Sequence, residues 1–263
     1  MTRVRVPSGG ITLSAQVDGS EGKPWLLLGN SLAADLTMWD DQIDLLTRTH
    51  RVIRYDTRGH GHSDAPGGAY DFPLLVADMG AVLDHFGVDR ADVMGLSLGG
   101  MTALGLGLTH PDRVRRLVVC DARADAPAPF VASWDDRIAA ISAKGMAAVV
   151  DGTLARWFTP SCPPAALQRA TAMILATHPD GYIGCALALK TLDYLKDLGR
   201  MQPPVLYICG AEDLGAPKEA MAAMAAATPK ASLTVLPGLA HIPNMENPAV
   251  FGAALAPWLG ATA

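Results

Sequence analysis

The sequence predicts an α/β fold, with a mostly parallel central sheet flanked by helices and an inserted helical cap. Three observations lead there. Short apolar runs of strand length alternate with segments of helical periodicity, a pattern that builds parallel sheets covered on both faces. A serine between two glycines, Gly95-Leu96-Ser97-Leu98-Gly99, stands where one such run gives way to one such helix. One long interval, residues 122–200, carries several helical stretches and no convincing strand. With 263 residues, half of them hydrophobic, the chain suits one large domain or one domain with an insertion.

Taken in order, residues 3–6 and 11–17 read as two strands joined by a hairpin-type connection, Pro7-Ser8-Gly9-Gly10. Residues 25–29, 51–55, 92–96, 116–120, 204–209 and 232–236 are the apolar runs. Residues 39–47, 73–86 and 218–227 have helical periodicity, and 101–108 form a buried helix closed by His110-Pro111. Segment 122–200 is rich in Ala, Leu and Met, and its Trp134, Trp157, Phe158 and Met173 favour packing against a partner surface. An insertion at the carboxyl ends of parallel strands roofs the crevice where such sheets bind ligands. The expected organisation is a catalytic core of residues 1–121 and 201–263 with the cap, 122–200, over it.

The net charge of −5 and the absence of a clustered basic surface argue against a nucleic-acid partner. Met1-Thr2-Arg3-Val4-Arg5-Val6-Pro7 lacks the apolar core of a signal peptide, and no apolar run nears the roughly eighteen residues of a membrane span. A cytoplasmic location without membrane attachment is the expectation. Cys120, Cys162, Cys185 and Cys209 show no C-x-x-C spacing and lie in apolar surroundings, so they read as buried free thiols.

A serine hydroxyl is a poor nucleophile near neutrality, so Ser97 needs a base, and the base needs an orienting acid. Glycines two residues either side allow the sharp strand-to-helix turn that projects such a serine into a cleft. His241 follows the last expected strand, at the sheet end where Ser97 projects; His60 and His62 are the alternatives, upstream of the nucleophile. Asp213, leaving the penultimate strand, is the best-placed acid, with Asp121 a minor alternative and Glu212 read as surface. The order serine, acid, histidine is that of α/β-hydrolases. The oxyanion donors would be the backbone amides of Leu98, after the nucleophile, and Leu32, in the loop after an early strand. In that loop Asn30 is either a substrate contact or a brace for the turn.

The match then narrows. Asn30-Ser31-Leu32, Asp35, Met38-Trp39-Asp40, the run from Arg54-Tyr55-Asp56 through Thr57-Arg58-Gly59-His60-Gly61, and Gly95-Leu96-Ser97-Leu98-Gly99-Gly100 resemble the 3-oxoadipate enol-lactonases of aromatic-acid catabolism. In the cap, Gly181-Tyr182-Ile183-Gly184-Cys185 is similar to the same family. The resemblance implies an α/β-hydrolase fold, no metal or organic cofactor, and hydrolysis of a small anionic lactone to a 3-oxo dicarboxylate. The cap departs from the family pattern at Ala186 and at Lys190-Thr191, where a second cysteine and an Arg-Asp pair are expected. An anionic substrate calls for a cation over the pocket. Arg123, Arg137, Arg156 and Lys190 are the candidates, with Arg137 and Lys190 preferred and Trp134 a wall for the ring.

Overall fold

The computed structural model of the chain describes residues 3–260; Met1 and Thr2, where the leader reading begins, lie outside them. Strands β1 (Val4–Ser8), β2 (Ile11–Asp18), β3 (Trp25–Gly29), β4 (Arg51–Tyr55), β5 (Ala91–Leu96), β6 (Val114–Cys120), β7 (Val205–Gly210) and β8 (Ala231–Leu236) form a single sheet. Their order is β1-β2-β4-β3-β5-β6-β7-β8. The β1–β2 and β2–β4 pairings are antiparallel, and every pairing from β4 across to β8 is parallel. β5 and β7 are buried at all six positions, which is why each reads as a continuous apolar run instead of an alternating one. β8, at the sheet edge, is only partly covered.

Parallel neighbours need crossovers. These are supplied by α1 (Ile43–Leu46), α2 (Phe72–His85), α3 (Leu98–Thr109) and, past the helical insertion, α8 (Lys218–Ala227), while α9 (Pro243–Glu246) and α10 (Pro248–Gly260) follow β8. Between β6 and β7 lie α4 (Ala128–Lys144), α5 (Val150–Trp157), α6 (Pro164–Ala176) and α7 (Pro179–Leu189). Among the described residues no helix is long and apolar enough to cross a membrane, and all four cysteines are buried and free.

Two elements differ from expectation. Pro7 and Ser8 belong to β1, paired with Thr12 and Ile11, so the hairpin turn is Gly9-Gly10 alone. Two residues suffice for the hairpin turns that match strand twist. Residues 39–47 are not one α-helix: a 3₁₀ helix spans Leu36–Gln42 and α1 follows it. The Asp35 carboxylate accepts from Thr37 N at 2.8 Å and starts the helix early. Trp39 Nε1 donates to Asn30 Oδ1 at 3.0 Å and Gln42 Nε2 to Asn244 O at 2.8 Å, so tertiary bonds fix this turn where local periodicity does not.

The helical insertion leaves and re-enters the sheet side by side. Asp125 and Asp193 form an antiparallel bridge, and Ala124 O accepts from both Tyr194 N and Leu195 N. Its α7 rests directly on the loop after β4. A Cβ built on Gly59 would lie 2.1 Å from Gly181 Cα, so the two backbones touch with no room for a methyl group. His178 N donates to Gly59 O beside that contact, at 3.1 Å.

Candidate active site

Ser97 caps the turn from β5 into α3 with φ 54° and ψ −117°. A non-glycine residue in that region costs about 1–3 kcal/mol and persists only where its surroundings over-determine it. Here they do. A Cβ on Gly95 would fall 2.2 Å from Gly99 O, and one on Gly99 would fall 2.2 Å from Gly29 C, so both glycines are required by close backbone approach. Ser97 N donates to Cys120 O at 2.9 Å, fastening the apex to the end of β6.

His241 lies in the loop after β8 and Asp213 in the loop after β7, with His241 Nδ1 2.7 Å from Asp213 Oδ2. The other carboxylate oxygen accepts from Gly215 N at 2.7 Å. Burial acts to raise the Asp213 pKa, but the charge and hydrogen bond of His241, with the amides of Ala216 and Gly215, bring it below the ordinary carboxylate value. An ionised Asp213 places the proton on Nδ1 and leaves Nε2 as the basic nitrogen. Ser97 and His241 line one cavity of about 350 Å³. Ser97 Oγ makes no hydrogen bond among the described residues; such contacts often tighten only when substrate binds.

The remaining acids and histidines are occupied elsewhere. Asp121 is fully buried with φ 44°, and its Oδ1 accepts from Gly210 N at 2.7 Å while Oδ2 has no partner. Burial and the charge of Asp213 push its carboxyl well up, and its bond to Gly210 N braces the start of the loop after β7. Glu212 borders a separate outer cavity. His62 is exposed, and its backbone amide donates to Asp56 Oδ2.

His60 is fully engaged: Nε2 accepts from Ala33 N at 3.0 Å and Nδ1 faces Arg58 O at 3.0 Å. It thereby holds the loop carrying Leu32. Burial lowers its pKa below 6.5, which keeps Nε2 available as an acceptor. With the folded value below the unfolded one, the His60 contribution to stability is complete above about pH 6.5 and is lost progressively below it, as the unfolded chain takes up a proton. Melting temperature should therefore fall with acidification from about pH 6.5, and more shallowly in His60→Gln. Identical slopes for the two proteins, measured by calorimetry across pH 5 to 8, would remove His60 from this role.

Leu98 follows Ser97 at the start of α3, and Leu32 lies in the loop after β3. Gly99 N is spent on Asn30 O and Met101 N on Ser97 O, which leaves Leu98 N–H at the head of α3 without an intrahelical acceptor. Leu32 and Ser31 line the cavity beside Ser97. Asn30 does not: it is fully buried, donating Nδ2 to Tyr55 O at 2.8 Å and accepting from Trp39, so it braces the loop.

Trp134, Arg137, Arg156 and Tyr182 from the helical insertion line the same cavity. The Arg137 guanidinium lies 4.1 Å from the Trp134 ring centroid, and Trp134 Nε1 has no partner among the described residues. Arg123 also reaches the cavity wall but is paired with Asp125 at 2.8 Å. Lys190, expected at the pocket, forms an ion pair with Asp135 and does not line the cavity. Sequence reasoning missed Glu246. Its Oε2 accepts from Ala240 N at 3.0 Å, next to His241, and its Oε1 accepts from Thr159 N at 2.8 Å, joining the histidine loop to the helical insertion. Nothing in local spacing marks that bond, which spans 87 positions.

A family model described as alpha/beta hydrolase fold matches residues 24–248. The chain is 31% identical to 3-oxoadipate enol-lactonase 2 of Acinetobacter baylyi over 93% of its own length and 92% of that protein. It is 28% identical to a putative carbamate hydrolase, RutD, of Pseudomonas syringae pv. syringae, over 90% of this chain and 93% of the relative. The crystal structure of an enol-lactonase from Burkholderia xenovorans LB400 superposes with a TM-score of 0.93 at 32% identity, covering 98% of this chain and 100% of that one.

Proposed function

The chain belongs to the alpha/beta hydrolase family as a relative of the 3-oxoadipate enol-lactonases, and from that premise we propose that it hydrolyses a small carboxylate-bearing lactone, 3-oxoadipate enol-lactone. The observation that carries the reading is the His241–Asp213 pair at 2.7 Å, facing the cavity into which Ser97 projects from its strained turn.

In the proposed reaction, His241 Nε2 takes the Ser97 proton as Oγ attacks the lactone carbonyl. The amides of Leu32 and Leu98 receive the developing oxyanion. Collapse breaks the acyl carbon–oxygen bond, opens the ring and leaves an acyl-serine, the proton passing from His241 to the departing oxygen. Water, deprotonated by His241, then releases the acid and restores Ser97. Asp213 holds the imidazole in one tautomer throughout. Trp134 walls the ring, and Arg137 faces the substrate carboxylate.

A charge-assisted contact of this kind is worth about 1.5–3 kcal/mol, roughly ten- to a hundredfold. The value of kcat/KM for the carboxylate-bearing lactone should exceed that for its methyl ester by that factor, and Arg137→Met should bring the ratio close to one. If the neutral ester is hydrolysed as well as the acid, the preferred substrate is not this anionic lactone, and a broader esterase describes the protein better.

A further inference from the structure

The wall of the cavity shared by Ser97 and His241 carries three arginines and no acidic side chain, although the chain as a whole is acidic. Elsewhere arginines are mostly compensated by carboxylates: Arg54 by Asp18 and Asp40, Arg58 by Asp78, Arg115 and Arg116 by Asp92. On the cavity wall only Arg123 is, through Asp125. Arg137 leans on an aromatic ring, and the nearest hydrogen-bond partner of Arg156 is the neutral Thr153 Oγ1, at 3.5 Å. Two half-buried guanidiniums thus share one cavity without an anion among the described residues to neutralise them.

That arrangement is unfavourable in itself. Burial, and then repulsion from Arg137, draw the Arg156 pKa below its ordinary value, which marks strain that a bound anion would relieve. Arg156 also borders the outer cavity of about 470 Å³, together with Leu214 and Glu212, so it stands between the Ser97 chamber, whose wall has no carboxylate, and an outer space whose wall has one. Leu214 is 77% exposed there.

We propose that Arg156 is a second anion-binding group of this cavity, beside Arg137, and that the ligand class the pair selects is a short dicarboxylate. The proposal rests on the hydrolase reading for its chemistry. Opening a lactone that carries one carboxylate breaks the acyl carbon–oxygen bond, adds the oxygen of water to the acyl carbon and releases a proton. A monoanion becomes a dianion. Arg137 accounts for the carboxylate already present, and Arg156 receives the one the reaction creates.

The test uses the full chain as Ser97→Ala, so that binding is read without turnover. Adipate and hexanoate, equal in chain length and differing in one carboxylate, are titrated by calorimetry. Adipate should bind at least about tenfold more tightly, as expected for one additional charge-assisted contact. In Ser97→Ala/Arg156→Gln that advantage should shrink to within about twofold, and Arg156→Lys should keep part of it because the charge remains. Equal binding of the two ligands by Ser97→Ala overturns the proposal without recourse to any arginine variant, and so does an advantage that survives Arg156→Gln. Should adipate binding behave as described while the unsubstituted protein hydrolyses neither the lactone nor a short aryl ester, the hydrolase reading falls and the dicarboxylate site stands.

Discussion

Ser97→Ala is expected to lower kcat by at least about a thousandfold while the protein keeps its fold, since loss of the nucleophile in comparable triads leaves only oxyanion and binding contributions. The hydroxyl makes no hydrogen bond among the described residues, so its removal deletes a covalent step and little packing. The backbone strain at φ 54° remains, because alanine meets the same steric limits as serine. Steady-state hydrolysis of a lactone and of a short aryl ester, alongside circular dichroism of the variant, checks both halves. A variant that retains more than a tenth of the original turnover would show that Ser97 is not the nucleophile.

His241→Ala should match that loss, and Asp213→Asn should fall short of it. The amide keeps the geometry but no longer favours the tautomer with the proton on Nδ1, and the defect is in kcat more than KM. His60→Ala is the informative control. It does not line the cavity of Ser97 and accepts from Ala33 N in the loop that carries Leu32, so a smaller loss of activity accompanied by lower stability is expected. If His60→Ala and His241→Ala lost activity equally, with unchanged melting temperatures, the assignment of His241 as base would be unsafe.

The parts of this molecule legible in its sequence are those that local physics writes. All eight strands lie within two residues of the expected segments at each end, the central ones as continuous apolar runs because strands covered on both faces leave few polar positions to blur them. The turn at Ser97 was readable from two glycines whose missing side chains make room for backbone contacts. Where long-range contacts decide, the sequence was mute. Lys190 and Arg156 are both cations of the helical insertion. The first is drawn off by Asp135, 55 positions away, and the second is left facing the cavity; no periodicity distinguishes them. Asn30 offered two readings, and the bonds to Tyr55 O and Trp39 favour the brace. The helix of residues 39–47 came out as a 3₁₀ helix and a short α-helix because buried side-chain bonds overrode its pattern.

The contact between Gly59 and Gly181 makes the roof a hinge-less corner. Two main chains that close can neither slide past a side chain nor part without breaking the bond from His178 N to Gly59 O, so breathing of the roof is anchored on that side. At α5 the main chain is tied as well, Ile242 N donating to Trp157 O at 3.1 Å, so room for a bulkier guest must come from side chains such as Arg156 and Leu214. Adaptation of such a chamber is thus a matter of side chains: the main chain is pinned at Gly59 and at Trp157, and what can change in shape is what projects between those points.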